Sequence, residues 1–379
     1  MTTAVRKALV GVVGVGLMFT LTVLVSEAVY RLLLFSQFPF MERYRDPSLY
    51  SDYYSDGDWW KLYYLFDKKE HEPTRHPHPL LGWTGDFSGE SYRHDDADRL
   101  HGKRPVLLYG DSFARCLTTT NECFQGILNN DKEFSQQYFM LNYGVAGYGV
   151  DQIYLLLKHS IRLYDHPYVV IGLYTRDLDR SILPLFVGQK PYFDVLSDDL
   201  VLRGTPISDD PQRYLSKNPP KVWSYLYRLW LYQDGRPWRI RLYLRGTEEI
   251  HRRKLLVNEK IVLNIIHELR RRKIGHMFVI FADKSSVKEM EWREGFLSEL
   301  LDRHDTPYLS SRVIIMDDAK REGRTVDDYY IPMDGHPNAY QNLLIAKELK
   351  TRILRGNVVA RASSAAQAPG HRPRVQIAR

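Results

Sequence analysis

The sequence predicts an α/β fold with a parallel sheet, because apolar segments of strand length alternate with segments of helical periodicity. Strands are expected at Val106–Tyr109, Tyr138–Asn142, Tyr168–Leu173 and His276–Phe281, with a short fifth at Pro307–Leu309. Uninterrupted apolar runs suit strands that are buried on both faces. Helical segments between such strands favour a parallel, doubly wound sheet, since parallel strands need long crossover connections.

Helical spacing of apolar residues predicts the crossovers. One helix begins at Val150, and others are expected near Glu259–Arg272, Met290–Arg303 and Asn338–Leu354. Residues 181–245 interrupt this rhythm and predict an insertion. In it, Ser197–Asp199 separates two short strands, which indicates a β-hairpin.

The aromatic and basic stretch Val222–Leu244 lies in the same insertion. It suits a lid, a membrane-facing surface or a packed segment whose Trp and Tyr side chains fill a minor core. We favour the packed segment.

Composition bounds the class of protein. The chain has 379 residues, of which 44% are hydrophobic and 26% charged, and these values are ordinary for a globular protein. The formal charge of +7 is modest and its basic residues are scattered, so no nucleic-acid partner is expected. No recognised metal-ligand spacing occurs, and we expect neither a metal nor a cofactor. The two cysteines, Cys116 and Cys123, either form a disulfide bond that closes a short loop or remain unpaired thiols.

The N-terminal residues predict a membrane anchor. Arg6 and Lys7 precede the uncharged run Ala8–Ser26, and apolar residues resume over Ala28–Phe35. This stretch is long enough to span a bilayer, and the preceding positive charge places the N-terminus in the cytoplasm. A cleaved signal peptide is the alternative, but no clear cleavage site follows. We therefore expect a single-pass anchor with the remaining chain on the periplasmic, extracytoplasmic side.

The expected organisation has four parts. Residues 1–35 form the cytoplasmic start and the anchor, and residues 36–104 form a lead-in rich in Tyr, Trp, Asp, His and Pro. The α/β domain follows over 105–355. Residues 356–379 are rich in Ala, Ser, Pro and Arg and are expected to be disordered.

Ser112 is the candidate nucleophile. It follows the first strand in the segment Gly110–Ser112, where glycine permits a sharp exit and ligands bind in α/β folds. A helix cap is the alternative interpretation. A serine hydroxyl needs a base, and His336 is the candidate, with Asp334 two residues earlier to orient it.

Donors to an oxyanion are expected at two further strand ends. The glycine-rich segment Tyr143–Gly149 follows the second strand and leaves amide hydrogens free, with Gly147 the candidate. The amide of Ser112 and a side chain after the third strand are the other candidates.

These segments, in this order, resemble the SGNH (GDSL-type) hydrolase family over roughly residues 105–354. The matching segments are Gly110–Phe113, Asn142–Gly147, Tyr174–Asp177 and Asp334–Asn338. The resemblance, together with the anchor, is typical of membrane-tethered bacterial members. It implies a flavodoxin-like, three-layer α/β/α sandwich and ester hydrolysis or acyl transfer. It also implies that Ser112 is the nucleophile, His336 the base, Asp334 its orienting carboxylate and Gly147 an oxyanion donor.

Two positions depart from the family pattern. Arg176 stands where the family has Asn; it can donate to an oxyanion, or it can pair with Asp177 or Asp179. Asp334 lies two residues before His336, where many members have three, so Asp327 and Asp328 are the fallback carboxylates.

Three functions follow from the resemblance. The first is a serine ester hydrolase with an oxyanion hole that includes Gly147 and Arg176. The second is an O-acyltransferase on a cell-envelope glycan. The third is a catalytically weakened binding protein, because Arg176 replaces the usual Asn.

Overall fold

The computed structural model describes residues 3–54, 57–68, 76–208, 210–232 and 237–366. The chain divides into two compact units. The first comprises Met1–Trp83 and Asp179–Asn258, and the second comprises Thr84–Leu178 and Glu259–Arg379. The insertion expected at 181–245 thus belongs to the same unit as the N-terminal segment, and the expected lead-in is divided between the units at Trp83.

The α-helices are numbered in chain order. They are α1 Thr3–Leu34, α2 Asp58–Leu65, α3 Ser112–Arg115, α4 Phe124–Asn130, α5 Val150–Ser160, α6 Asp177–Arg180, α7 Pro211–Lys217, α8 Tyr225–Tyr232, α9 Pro237–Arg271, α10 Trp292–Arg303, α11 Ser311–Glu322 and α12 Ala339–Ala366.

The second unit contains a five-stranded sheet in which every neighbouring pair is parallel. Its strands are β1 Arg104–Gly110, β2 Tyr138–Gly144, β3 Tyr168–Tyr174, β4 Gly275–Phe281 and β5 Tyr308–Ser310. The spatial order is β2-β1-β3-β4-β5, which is the flavodoxin-like order. The predicted parallel sheet is confirmed, and each observed strand lies within two residues of its predicted position.

Helices cover both faces of this sheet. On one face, Val106 and Leu108 of β1 join a buried cluster with Phe124 of α4 and Ile345 of α12. On the other face, the Tyr109 hydroxyl hydrogen-bonds to Ser160 Oγ in α5 at 2.8 Å. Leu108 and Tyr109, which are neighbours in β1, thus face opposite sides of the sheet, and helices cover each side. This confirms the three-layer α/β/α arrangement. In such a fold the carboxyl ends of the strands, next to the switch between β1 and β3, form the usual ligand edge.

Several helices differ from the prediction. Helix α9 begins at Pro237 rather than near Glu259, and α12 continues past Gly356 to Ala366. The rest of the expected tail, residues 367–379, lies outside the described residues. Helix α11 was not predicted because its apolar residues are consecutive, at Val313–Met316, and show no helical period.

In the first unit, the predicted hairpin is confirmed by antiparallel pairing of Tyr192–Leu196 with Asp199–Arg203. Helix α1 contains a segment, Leu9–Leu34, of 26 residues and hydropathy 2.3, long and apolar enough to cross a membrane; a signal sequence meets the same criterion. The expectation that the 222–244 aromatics are packed is correct for Tyr225, which is buried, and wrong for Trp223, which is 71% exposed.

Candidate active site

Ser112 is the first residue of α3, in a tight turn that leaves β1. Gly110 ends the strand where a Cβ would lie 2.4 Å from Ala114 Cβ and 2.5 Å from the Gly172 carbonyl oxygen, so only glycine fits. Asp111 caps the turn, since its Oδ1 accepts a hydrogen bond from the Phe113 N–H at 2.8 Å. The helix cap is therefore Asp111, and the Ser112 hydroxyl is available for another partner.

That partner is His336. The distance from Ser112 Oγ to His336 Nε2 is 2.8 Å, and His336 Nδ1 is hydrogen-bonded to Asp334 Oδ1. An ionised carboxylate only accepts hydrogen bonds, so Nδ1 carries the proton and the Nε2 lone pair faces Ser112. Asp111 Oδ2 also lies within reach of the hydroxyl, at the longer distance of 3.3 Å. The three predicted residues are thus brought together in the order that nucleophilic catalysis requires.

The loop that carries His336 is held by its own backbone. The Asp334 side chain accepts from the His336 N–H at 3.1 Å, which keeps the carboxylate beside the ring at a spacing of two residues. The Ile331 N–H donates to the His336 carbonyl at 2.8 Å. The imidazole packs against the Phe113 ring, with centroids 4.8 Å apart.

The fallback carboxylates are engaged elsewhere. Asp327 pairs with Lys284 at 2.7 Å, and Asp328 accepts hydrogen bonds from Thr325 at 2.8 and 3.0 Å. These contacts favour Asp334 as the carboxylate that orients His336.

The end of β2 lies directly against the serine turn. A Cβ on Gly144 would lie 2.4 Å from the Arg115 backbone nitrogen. Asn142 links the end of β2 to the serine turn. Its Oδ1 accepts a hydrogen bond from the Gly144 N–H and its Nδ2 donates one to the Ala114 carbonyl, each at 2.9 Å. The first glycine of this segment, Gly144, therefore permits a close backbone approach between the end of β2 and the serine turn.

Gly147 lies in the turn that follows, with a φ of 81° that favours glycine. The turn is closed by the Tyr148 N–H, which donates to the Val145 carbonyl at 3.2 Å. Within the described part of the chain, the Gly147 N–H has no hydrogen-bond acceptor. This amide remains able to donate to a ligand.

Arg176 is held by two carboxylates, Asp283 just after β4 and Glu291 just before α10. Its Nε donates to Asp283 Oδ2 at 3.1 Å, and its Nη2 lies 3.7 Å from Glu291 Oε1. The Tyr174 hydroxyl donates to the same Asp283 oxygen at 2.7 Å. Burial alone would raise the pKa of Asp283, but the hydrogen bonds from Tyr174 and Ser285 and the charge of Arg176 lower it to about 2.

The carboxylates named as possible partners of Arg176 have other contacts. Asp177 Oδ2 accepts from the Tyr174 N–H at 3.0 Å, and Asp179 pairs with Lys254 at 2.7 Å.

Sequence reasoning missed Asp283, and it included Tyr174 and Phe113 in the matching segments without giving either a role. The Phe113 ring stacks on the Tyr174 ring with centroids 4.0 Å apart, and the Tyr174 hydroxyl reaches Asp283. A contact path therefore joins His336, Phe113, Tyr174 and Asp283. Asp283 follows the end of β4 by two residues, and polar residues at the carboxyl ends of parallel strands are a signal that could have found it.

Cys116 and Cys123 are free, buried thiols just beyond the serine turn. A hydrogen bond from the Cys116 thiol is the main cause that lowers the pKa of Cys123, to about 7. Burial raises the pKa of Cys116.

Comparison with known proteins gives structural likeness only. Neither a family model nor a curated protein matches the chain. A lipolytic protein of the G-D-S-L family from Veillonella parvula is 13% identical, with a TM-score of 0.34 over 64% of this chain and 94% of its own. The acetyl xylan esterase AlAXEase is 12% identical, with a TM-score of 0.38 over 66% of this chain and 99% of its own.

The esterase EstA from Pseudoalteromonas is 11% identical, with a TM-score of 0.38 over 67% of this chain and 98% of its own. The similar structures thus include a lipolytic protein of the G-D-S-L family and two esterases. At these identities and TM-scores, the likeness assigns neither an activity nor a substrate to this chain. Both depend on the residues of its own site.

Proposed function

We propose that this protein is a membrane-anchored, extracytoplasmic serine ester hydrolase in which Ser112, His336 and Asp334 form a catalytic triad. One observation carries the proposal: Ser112 Oγ lies 2.8 Å from His336 Nε2, while Nδ1 of the same ring is hydrogen-bonded to Asp334. Ser112 lies more than two hundred positions before Asp334 and His336 in the chain, and the three meet in the geometry that activates a serine.

In the first half-reaction, His336 Nε2 takes the Ser112 proton as Oγ attacks the carbonyl carbon of the ester. Asp334 stabilises the imidazolium that forms, and the imidazolium then protonates the departing alcohol. In the second, His336 takes a proton from water as the water oxygen attacks the acyl-serine, and the imidazolium returns that proton to Ser112 Oγ as the acid leaves. An acyl transferase would follow the same steps with a sugar hydroxyl in place of water.

The oxyanion needs donors that are already in place. The Ser112 amide lies in the first turn of α3, where N–H groups lack intrahelical acceptors. The Gly147 amide is the second donor. Arg176 as a third donor stays a prediction, and its contacts with Asp283 and Glu291 oppose it, because a guanidinium that leaves them forfeits two carboxylate interactions.

The anchor is proposed to be uncleaved. Arg6 and Lys7 before the apolar segment favour a cytoplasmic N-terminus. The outer end of α1 also belongs to a folded core: Leu34 is fully buried in a cluster with Tyr50, Phe66 and Tyr225. Cleavage beyond the apolar run would remove Leu34 from that cluster.

The test uses full-length protein in detergent with a short-chain aryl ester. Ser112→Ala and His336→Ala are expected to lower kcat about 10⁶-fold, and Asp334→Ala about 10⁴-fold, as in other serine hydrolases. Asp327→Asn is the matched control, because Asp327 is an exposed carboxylate near the same loop and it pairs with Lys284. The activity of this variant should equal that of wild type.

Equal turnover by wild type and Ser112→Ala would refute the triad. Loss of activity in Asp327→Asn rather than Asp334→Ala would refute Asp334 as the orienting carboxylate. A wild-type protein that neither hydrolyses esters nor reacts with a fluorophosphonate probe would indicate the binding-protein alternative. Acylated sugar formed in the presence of an oligosaccharide would instead favour transfer.

A further inference from the structure

Helix α1 is longer than a bilayer core requires. Its apolar segment has 26 residues, which at about 1.5 Å per residue extends about 39 Å. The hydrocarbon core is only about 30 Å thick. If the N-terminal side fills the core, the last turns of α1 project into the interface with the headgroups. About twenty residues from Leu9 onward fill the core. Glu27 therefore lies at its edge, and Tyr30 and Arg31, which are residues suited to the interface, lie beyond it.

Helix α8 is attached to these same turns. Glu27 Oε1 accepts from the Tyr225 N–H at 2.8 Å, and Glu27 Oε2 accepts from the Leu226 N–H at 3.1 Å. Arg31 Nη2 donates to the Trp223 carbonyl at 2.7 Å. A side chain of α1 therefore caps the N-terminus of α8 and fixes it at the depth of Glu27.

The two faces of α8 have different surroundings. Tyr225 is buried in the cluster that includes Leu34 and Tyr50. On another face Tyr227 and Trp230 form a ladder with Trp223, which precedes the helix by two residues. The ring centroids are 5.0 Å and 5.9 Å apart along the series. Trp223 is 71% exposed, and Trp230 is also exposed.

The chain that leaves α1 adds further exposed aromatic residues. Phe38 and Phe40 are 52% and 60% exposed, and their rings stack with centroids 5.6 Å apart. Large exposed aromatic groups beside a membrane span are unfavourable in water, whereas aromatic rings are enriched at the membrane–water interface.

We propose that Phe38, Phe40, Trp223, Tyr227 and Trp230 form an aromatic belt that inserts into the interfacial region of the phospholipid bilayer that α1 spans. The belt is continuous with the span through the Glu27 and Arg31 contacts, so the lipid surface is its occupant. This inference rests on the proposed membrane anchoring and is independent of ester hydrolysis. The first unit would then be held against the membrane at two places rather than tethered by one helix.

The experiment measures tryptophan fluorescence of full-length protein reconstituted in vesicles of phosphatidylcholine with brominated acyl chains, since bromine quenches only nearby tryptophans. Wild type should be quenched more by bromine near the headgroup end of the chain than near its methyl end. The double variant Trp223→Phe/Trp230→Phe should lose most of this quenching. Trp83→Phe, which removes a tryptophan that is 2% exposed, should retain it.

Flotation of the vesicles separates the two ways to fail. If the protein does not float with the vesicles, membrane anchoring fails and the belt with it. If it floats but the double variant is quenched as strongly as wild type, the belt is refuted while the anchor stands. Unchanged thermal melting of the double variant confirms that it is folded, because both replacements are conservative and exposed.

Discussion

Asp283 is held in place at the ends of β3 and β4 by hydrogen bonds from several neighbours. Its Oδ2 accepts hydrogen bonds from the Tyr174 hydroxyl and Arg176 Nε, and its Oδ1 accepts from the Ser285 N–H at 2.8 Å. These contacts hold the pKa of Asp283 at about 2, below its ordinary value of 3.8. The ionised carboxylate thus fixes Arg176 and, through Tyr174, supports the ring that packs on His336.

Stability should depend on the ionisation of Asp283. Because its pKa is lower in the folded state, its contribution is complete above about pH 4 and is lost as pH falls through about 2. Asp283→Asn is therefore expected to lower the free energy of unfolding by about 2 kcal/mol at neutral pH. Urea denaturation of both proteins from pH 7 to pH 2 should show this difference shrinking towards zero.

The control at this scale is Asp327→Asn. Asp327 pairs with Lys284 but is exposed, and a surface ion pair contributes about 0–1 kcal/mol. The free energy of unfolding of this variant should differ little from that of wild type at every pH. A difference for Asp283→Asn that stays constant from pH 7 to pH 2 would contradict the assigned ionisation.

Among the elements, α3 is the one whose position decides the chemistry. It is only four residues long and depends on its neighbours for its place. Gly110 and Gly144 bring two strand ends close to it, and Asn142 Nδ2 donates to the Ala114 carbonyl. The serine hydroxyl is thus positioned by the ends of β1 and β2 rather than by a long helix.

Gly144→Ala should disturb this element. The added Cβ would lie 2.4 Å from the Arg115 backbone nitrogen, and backbone cannot rotate away as a side chain can. Overpacking of this kind costs about 1–3 kcal/mol. A shift of about 1 Å in Ser112 lowers the rate about 10²-fold. Thermal melting and kcat for the aryl ester are the two measurements.

Gly295→Ala is the matched control. Gly295 lies inside α10, where the nearest atom to an added Cβ is Met290 Cε at 4.0 Å. Alanine in a helix interior is more stable than glycine by about 0.5–1 kcal/mol, so the melting temperature should rise and kcat should not change. A Gly144→Ala protein with wild-type melting and kcat would show that the close approach at α3 is unimportant.

The strands could be predicted because each is a short apolar run, and Ser112 and His336 could be predicted because each lies in a recognisable polar segment. The pairing of Arg176 with Asp283 could not. It depends on strand register: Tyr174 lies opposite Phe281 on neighbouring strands, so the residues two positions further on meet. A sequence contains no register, so it offers as partners of Arg176 only its neighbours in the chain, Asp177 and Asp179.

At the scale of the whole molecule, the apolar helix α1 and the rest of the first unit are not separate parts. The sequence placed their boundary at residue 35, where the apolar run ends. The structure instead buries Leu34 with residues far along the chain, and Tyr30 packs on the same cluster. The cluster is completed by Val222 and Tyr225, and such long-range packing leaves no periodic signal in the sequence. Residues 27–34 are thus part of the first unit.

Two truncations should therefore behave differently. A chain that begins at residue 27 loses most of the apolar segment but keeps the Glu27 cap on α8 and the buried Leu34. A chain that begins at residue 36 loses both. Removal of a buried leucine costs about 2–5 kcal/mol, and loss of a helix cap costs about 1 kcal/mol.

The longer truncation product should therefore melt at a higher temperature than the shorter one. The shorter one should also bind a hydrophobic dye such as ANS at its uncovered Tyr50 and Tyr225 surface. The variant Glu27→Ala/Leu34→Ala, made in the longer product, should reproduce most of the loss without changing chain length. Equal melting of the two truncated chains would place the boundary at residue 35 and leave the outer turns of α1 with no structural role. Melting temperatures that fall only when Glu27 and Leu34 are absent would show that the last turns of α1 fold with the first unit.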